Sequence, residues 1–253
     1  MTKVSIIGSG NLAQHLIQAF QLNSQIELVQ VFARNKKSVA HLLDSDAITS
    51  DYSQLQVADV YIIAVSDDAI AEVSSQLPFE NQLVVHTSGT VDLDTLHDKN
   101  RKGVFYPLQT FSKNKVVDFK TIPICLEAEN KTDLQLLKKI AHSISDSVYE
   151  ISSEQRKALH VGAVFVNNFV NYLYQIGNEI CEDNQIPFDI LKPLIQETAN
   201  KIVTLSPKEA QTGPAKRNDL KTIAAHEQFL TDENQATIYK LLTQSIQNNG
   251  KKL

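Results

Sequence analysis

Tryptophan is absent from this chain of 253 residues, cysteine occurs twice and methionine once. Cys125 and Cys181 lie in apolar surroundings with no C-x-x-C pairing. That usage excludes a disulfide framework and a thiolate zinc site, so two buried thiols and no metal are expected. No apolar run is long enough to span a bilayer, and the chain enters a strand pattern at once, with no room for a leader segment. A cytoplasmic protein with no membrane partner is the expectation. Basic residues are also outnumbered: 24 Lys and Arg face 29 Asp and Glu, the net charge is −5, and no basic stripe stands out to hold nucleic acid. The missing tryptophan and the single methionine support no functional argument.

What is present starts at Lys3–Leu12, KVSIIGSGNL. A short apolar run (Val4, Ile6, Ile7) stops at Gly8-Ser9-Gly10, and Ala13 opens a helical pattern with Leu16, Ile17 and Phe20. This is G-x-G-x-x-A directly after a first strand, the turn that lets a dinucleotide diphosphate sit on a helix N-terminus. Gly8 permits the tight turn, Gly10 lacks the Cβ that would block the diphosphate, and Ala13 lets helix and strand pack closely. Gly8, Ser9, Gly10, Asn11 and Leu12 are thus expected to bind a dinucleotide.

The chain then alternates strand and helix. Ile26–Ala33, Val57–Val65, Gln82–His86, Val104–Pro107, Thr121–Glu127 and Ser147–Ile151 read as strands, and Lys36–Leu43, Asp67–Leu77 and Leu134–Ile144 as helices. The apolar, β-branched run around Val60 suits a strand buried on both faces, and the alternation predicts an α/β doubly wound parallel sheet. After Ser152 the pattern becomes helical, with Ser153 as the expected cap of a long helix to about Glu182. Phe188–Leu205 and Asn234–Gln247 read as further helices, and the tail Asn248–Leu253 as frayed. Two domains follow, a dinucleotide-binding domain over 1–152 and an all-α domain over 153–253. The long apolar helix Leu159–Ile180 has more apolar surface than one sheet domain needs, which points to a homodimer.

The second strand ends Ala33-Arg34-Asn35-Lys36-Lys37-Ser38, with no carboxylate to accept from ribose hydroxyls. A guanidinium can hold a 2′-phosphate bidentately, so Arg34, with Ala33, Asn35 and Ser38 beside it, points to NADP. A solvated basic loop is the plain alternative. In open α/β sheets ligands lie beyond the carboxyl ends of the strands, which places Val65 and Ser66 on the cofactor. Asp67 and Asp68 read as first-turn helix residues. The loop His86-Thr87-Ser88-Gly89-Thr90 comes next. Here Ser88 is a candidate for the chemistry and Gly89 for the substrate pocket, while His86 reads equally as a buried strand-end histidine. Phe105–Ser112 alternates aromatics with polar groups, so Tyr106, Gln109 and Thr110 are candidates for a pocket wall, against a core-packed loop.

GSGNLA, ADVYIIAVSDDAI, VVHTSGT, YPLQTFS and QTGPAKRND together resemble a group of Rossmann-like NADP oxidoreductases of uncharacterised function. These carry a helical C-terminal domain of unknown function and are related to pyrroline-5-carboxylate reductase and the β-hydroxyacid dehydrogenases. The resemblance spans essentially the whole chain, and it implies NADP binding followed by a dimerising helical domain. In the β-hydroxyacid dehydrogenases a helix lysine, one turn before an asparagine, does the acid–base work. Here Asn168 resembles that asparagine, but Val164 stands at the lysine position. His160, two turns before Asn168 and on roughly the same face at the helical period, is the candidate acid–base residue. Arg217 in the TGPAKRND loop could grip a substrate carboxylate or a cofactor phosphate, or simply pair with Asp219.

Three functions fit these residues. One is an NADP-dependent reductase or dehydrogenase moving a hydride to or from a small C=O or C=N compound in an inter-domain cleft. A second is an NADP(H)-binding sensor without turnover, favoured by the missing lysine. The third is a deazaflavin-linked reductase.

Overall fold

The structure, a computed structural model, describes residues 1–113 and 115–248. The tail from Asn248 to Leu253, expected to fray, therefore lies beyond its first residue outside the described residues. The chain forms two compact units, Met1–Val164 and Phe165–Leu253.

The first unit is built on one eight-stranded sheet: β1 (Thr2–Ile7), β2 (Ile26–Phe32), β3 (Ile48–Thr49), β4 (Val60–Ile63), β5 (Leu83–His86), β6 (Arg101–Pro107), β7 (Ile124–Ala128) and β8 (Val148–Glu150). Their spatial order is β3-β2-β1-β4-β5-β6-β7-β8. Helices α1 (Asn11–Gln21), α2 (Ile70–Gln76), α3 (Lys131–Ile144) and α4 (Ser153–Ala163) complete the unit. Alternation along the strands decides which side chain meets which layer. Val4, Ile6, Val60, Ile62, Leu83 and Val85 join Leu16, Phe20 and Leu137 in one core. Ile7, Tyr61, Ile63 and Val84, one step out of phase, join Ile70, Leu77 and Leu96 in a second.

Four features differ from the sequence expectations. The sheet is not wholly parallel, since β7 pairs antiparallel with β6. Among its described residues the link between them holds only a 3₁₀ turn at Phe119–Thr121, and without a crossover helix the chain can only return alongside the strand it left. The helix expected over Lys36–Leu43 is reduced to a 3₁₀ turn at Lys36–Ser38. There Asn35 Oδ1 accepts from the Lys37 amide and the Ser38 hydroxyl donates to the Asn35 carbonyl, local bonds that compete with a helix. Helix α4 is capped by Ser152, not Ser153, in a reciprocal capping box with Gln155. The long helix to Glu182 is interrupted by a π-helical segment, Val164–Phe169. Its turns hold more residues than α-helical ones.

The second unit is helical. It contains α5 (Val170–Asp183), α6 (Lys192–Thr204) entered through a 3₁₀ turn at Phe188–Leu191, two four-residue helices α7 (Pro207–Ala210) and α8 (Pro214–Arg217), then α9 (Leu220–Phe229) and α10 (Glu233–Asn248). The expected boundary at residue 152 falls before α4, which is counted with the sheet unit. Among the described residues no helix is long and apolar enough to cross a membrane. Nor is any cluster of His, Cys, Asp and Glu fit for a metal found among them.

Candidate functional site

β1 ends at Ile7 and the chain must leave the sheet at once. Gly8 makes that exit at φ 142, and a Cβ there would lie 2.1 Å from the Ala64 carbonyl oxygen. Gly10 has a different task. It is the N-cap of α1 at φ −71, and a Cβ on it would meet nothing within 4 Å. A cavity of about 490 Å³ opens at this point, bordered by the turn, by Arg34 and by Val65 and Ser66. No side chain caps α1 and its first turn holds no acid, so its leading amides are free for an anion. The cavity lies where β1 and β4 are neighbours and their following segments diverge, the crevice where this topology binds nucleotides. An open cradle beside Gly10 and an uncapped helix N-terminus suit a dinucleotide diphosphate.

Eight of the residues expected on the cofactor border this cavity: Gly8, Ser9, Gly10, Asn11, Leu12, Arg34, Val65 and Ser66. Ala33 does not, being buried with its amide bonded to the Thr49 carbonyl. Asn35 and Ser38 are engaged in the 3₁₀ turn. Arg34 is exposed and has no carboxylate partner among the described ion pairs. Sequence reasoning missed Tyr52, stacked on Phe32 with centroids 4.0 Å apart, and the cavity face formed by Ala69, Glu72, Val73 and Gln76. The α2 residues had a signal, since they recur at three- and four-residue steps opposite buried Ile70 and Ser74. Tyr52 had none, because it sits in an isolated 3₁₀ turn. Thr87, also missed, closes the cavity beyond β5.

A second constellation follows Thr87. His86 is fully buried, and burial first, then the Arg156 charge, lowers its pKa to about 4. The ring is therefore neutral at pH 7, with Nδ1 accepting from the Ser88 amide at 3.2 Å and the proton left on Nε2. Ser88 Oγ accepts from the Thr90 and Val91 amides, which ties the loop into a turn and occupies the hydroxyl oxygen. Thr90 in turn donates to Asp67 at 2.7 Å. Gly89 lies against two other side chains: a Cβ on it would be 2.6 Å from His160 Nδ1 and 2.8 Å from Tyr106 Oη. Those two atoms are themselves 3.3 Å apart. Gly89, Tyr106 and His160, reached separately in the sequence, are brought together. Burial raises the Tyr106 pKa above its ordinary 10, so the phenol keeps its proton.

Helix α4 is locked to the sheet one turn before His160. Arg156, 1% exposed, bonds Glu127 of β7, the Val91 carbonyl and Ser153 Oγ. Ser153 also bonds Glu127 through its amide and hydroxyl. An arginine on a polar helix face gave no sequence signal for this role. Gln109 and Thr110 are exposed and bond each other. Their loop is fastened to α1 instead, through Asn11 to the Phe111 carbonyl and His15 to the Ser112 carbonyl. Phe111 packs on the core and on Phe119. Of the expected pocket wall, Tyr106 meets Gly89 and His160, while Gln109 and Thr110 stand exposed.

Residues 3–89 match the family of NADP oxidoreductases described as coenzyme F420-dependent, and residues 122–246 match a domain of unknown function (DUF2520). A Bacteroides fragilis protein described as a "putative NADP oxidoreductase" is 39% identical over 98% of both chains, with a TM-score of 0.86. The chain belongs to this NADP oxidoreductase family. Solved structures at lower identity share the fold: a Thermotoga maritima protein (20% identical, 98% and 100% covered, TM-score 0.76) and the pyrroline-5-carboxylate reductase of Streptococcus pyogenes (15%, 98% of each, 0.65). No curated protein sequence matches the chain.

The remaining family-derived candidates lie in the second unit. Asn168 is exposed within the π-helical segment. Arg217 ends α8, a single turn set between Gly213 at φ 103 and Asn218 at φ 55. The Arg217–Asp219 ion pair is not among the described salt bridges, and Asp219 caps α9 through Thr222.

Proposed function

We propose that this family member is an NADP-dependent oxidoreductase that moves a hydride between the nicotinamide and a small C=O or C=N compound. Arg34 carries the choice of dinucleotide: it stands at the mouth of the cavity, beyond a β2 end that offers no carboxylate to a ribose. NADP supplies the hydride chemistry when bound, and the chain supplies orientation and a proton partner. The uncapped N-terminus of α1 holds the diphosphate, and Arg34 holds the 2′-phosphate. His160, half-buried beside Tyr106 and Gly89, is the proton partner. Asn168 and Arg217 enter the proposal through the family resemblance, as substrate-orienting and carboxylate-binding groups. The reading includes a cytoplasmic homodimer, supported by apolar side chains exposed on the second unit such as Phe165 at 63%, Val166 at 74% and Val203 at 82%.

Titration with NADPH, NADH and NADP⁺, read by nicotinamide fluorescence, tests the assignment. Arg34→Ala should weaken NADPH about tenfold to a hundredfold, the worth of a charge-assisted bond, and leave NADH unchanged. An unaltered preference in that variant refutes the 2′-phosphate assignment. Val164 at the expected lysine position favours a second reading, a binding protein without turnover. Tight NADPH binding with no substrate reduced would establish it. Hydride exchange with a deazaflavin alone would support the family description instead.

A further inference from the structure

We propose that Tyr106 gives the proton to the substrate, that His160 resupplies it, and that the substrate is therefore a carbonyl compound and not an imine. This deepens the oxidoreductase reading above and rests on it.

The placement comes first. Thr87 borders the dinucleotide cavity, and Gly89 follows two residues later, at most about 7 Å along the chain. The Gly89 backbone lies against both Tyr106 Oη and His160 Nδ1, and a side chain there would collide with each. The three hydroxyls of this corner are already engaged. Thr87 Oγ1 donates to the Ile63 carbonyl, Ser88 Oγ serves two amides, and Thr90 Oγ1 is bonded to Asp67. His86 is fully buried. Tyr106 has His160 as its one hydrogen-bond partner among the described residues, which leaves the phenol a free direction for a substrate oxygen. Both side chains are half-buried, so His160 connects the phenol to water.

The chemistry separates the two substrate classes. When a hydride adds to a carbonyl carbon, the C=O π pair moves to oxygen and that oxygen needs a proton. The C–H bond of the reduced nicotinamide breaks with its electron pair and forms the new C–H bond. The Tyr106 O–H breaks and its proton forms the substrate O–H; His160 passes its Nδ1 proton to the phenolate as its Nε2 takes one from solvent, so the ring stays neutral and one solvent proton is consumed per turnover. The carbonyl is reduced and the dinucleotide oxidised, with charge and atoms balanced. An imine that arrives as the iminium becomes a neutral amine on hydride addition and needs no resident acid, whereas a carbonyl oxygen does not arrive protonated at neutral pH and must be given its proton in the site. A tyrosine with a histidine behind it serves carbonyl reduction.

The test uses the full chain with NADPH. Binding is read by nicotinamide fluorescence, and turnover by NADPH oxidation on matched panels of aldehydes, 2-oxo acids and ketones and of cyclic imines. Tyr106→Phe removes one oxygen and should keep NADPH affinity within twofold while lowering carbonyl kcat at least a hundredfold. His160→Ala should lower it about tenfold, with recovery on adding imidazole, which a merely structural role would not give. Turnover of imines alone, or carbonyl turnover untouched in Tyr106→Phe, overturns the inference and leaves the oxidoreductase reading standing. NADPH binding with neither class reduced overturns both. Absence of NADPH binding refutes the functional reading itself, and the inference falls with it.

Discussion

Acid should destabilise this protein through His86. In the folded chain the imidazole stays neutral down to about pH 4, because burial and then the Arg156 charge oppose its protonation. In the unfolded chain it protonates near 6.5. Between those values the unfolded state binds the extra proton, so stability is full above pH 6.5 and falls as the pH drops towards 4. At pH 5 the solution lies about 1.5 units below the unfolded pKa, and at 1.36 kcal/mol per unit the loss is about 2 kcal/mol. Urea unfolding read by tyrosine fluorescence, clean here because tryptophan is absent, measures it at pH 7 and pH 5. His86→Asn keeps an acceptor near the Ser88 amide but has no proton to gain. It should be less stable than the natural protein at pH 7, with a pH 7-to-5 loss smaller by about 2 kcal/mol. Exposed carboxylates titrate alike in both proteins and cancel. Equal pH dependence in the two would refute the argument.

The glycine turn provides a contrasting pair. Gly8→Ala should fail to fold stably, because its Cβ would press on the Ala64 carbonyl in a backbone region closed to alanine, and a thermal melt would show it. Gly10→Ala should melt like the parent and yet bind NADPH at least tenfold more weakly, since its methyl enters the cradle and not the protein. Arg156→Met should cost about 3–5 kcal/mol in urea unfolding by leaving Glu127 without its buried cation. Ser152→Ala removes the α4 capping box and should cost about 1 kcal/mol in the same assay.

Parts of the fold were legible where side-chain pattern and structure share a period. Val60–Ile63 is buried throughout and reads as a central parallel strand; the spacing of Leu16, Ile17 and Phe20 marks the core face of α1. Strand direction has no such period, and the reversal at β7 depends on a linker without a crossover helix. The π-helical segment Val164–Phe169 is equally silent: the weak helix formers of VFVNNF disfavour a regular helix but specify no π turn. In the candidate site, the contiguous turn Gly8–Leu12 and the strand ends at Arg34 and Ser66 were readable, since the topology places every such end at one edge. Tyr52 and Arg156 are assembled from separate segments. Their roles follow from burial and partners that only the folded chain brings together.

The strand order also sets a schedule. β1 is made first but lies inside the sheet, between β2 and β4. One of its edges is covered once Phe32 has been added, while the other stays open until Val60–Ile63 emerges. At ~5–20 residues per second the ribosome leaves that edge bare for seconds, with Ile6 and Ile7 on it. The nascent chain is thus most prone to misassociate, and most in need of chaperone cover, during the making of residues 33–63, and silent codon changes that slow this stretch should lower the yield of folded protein.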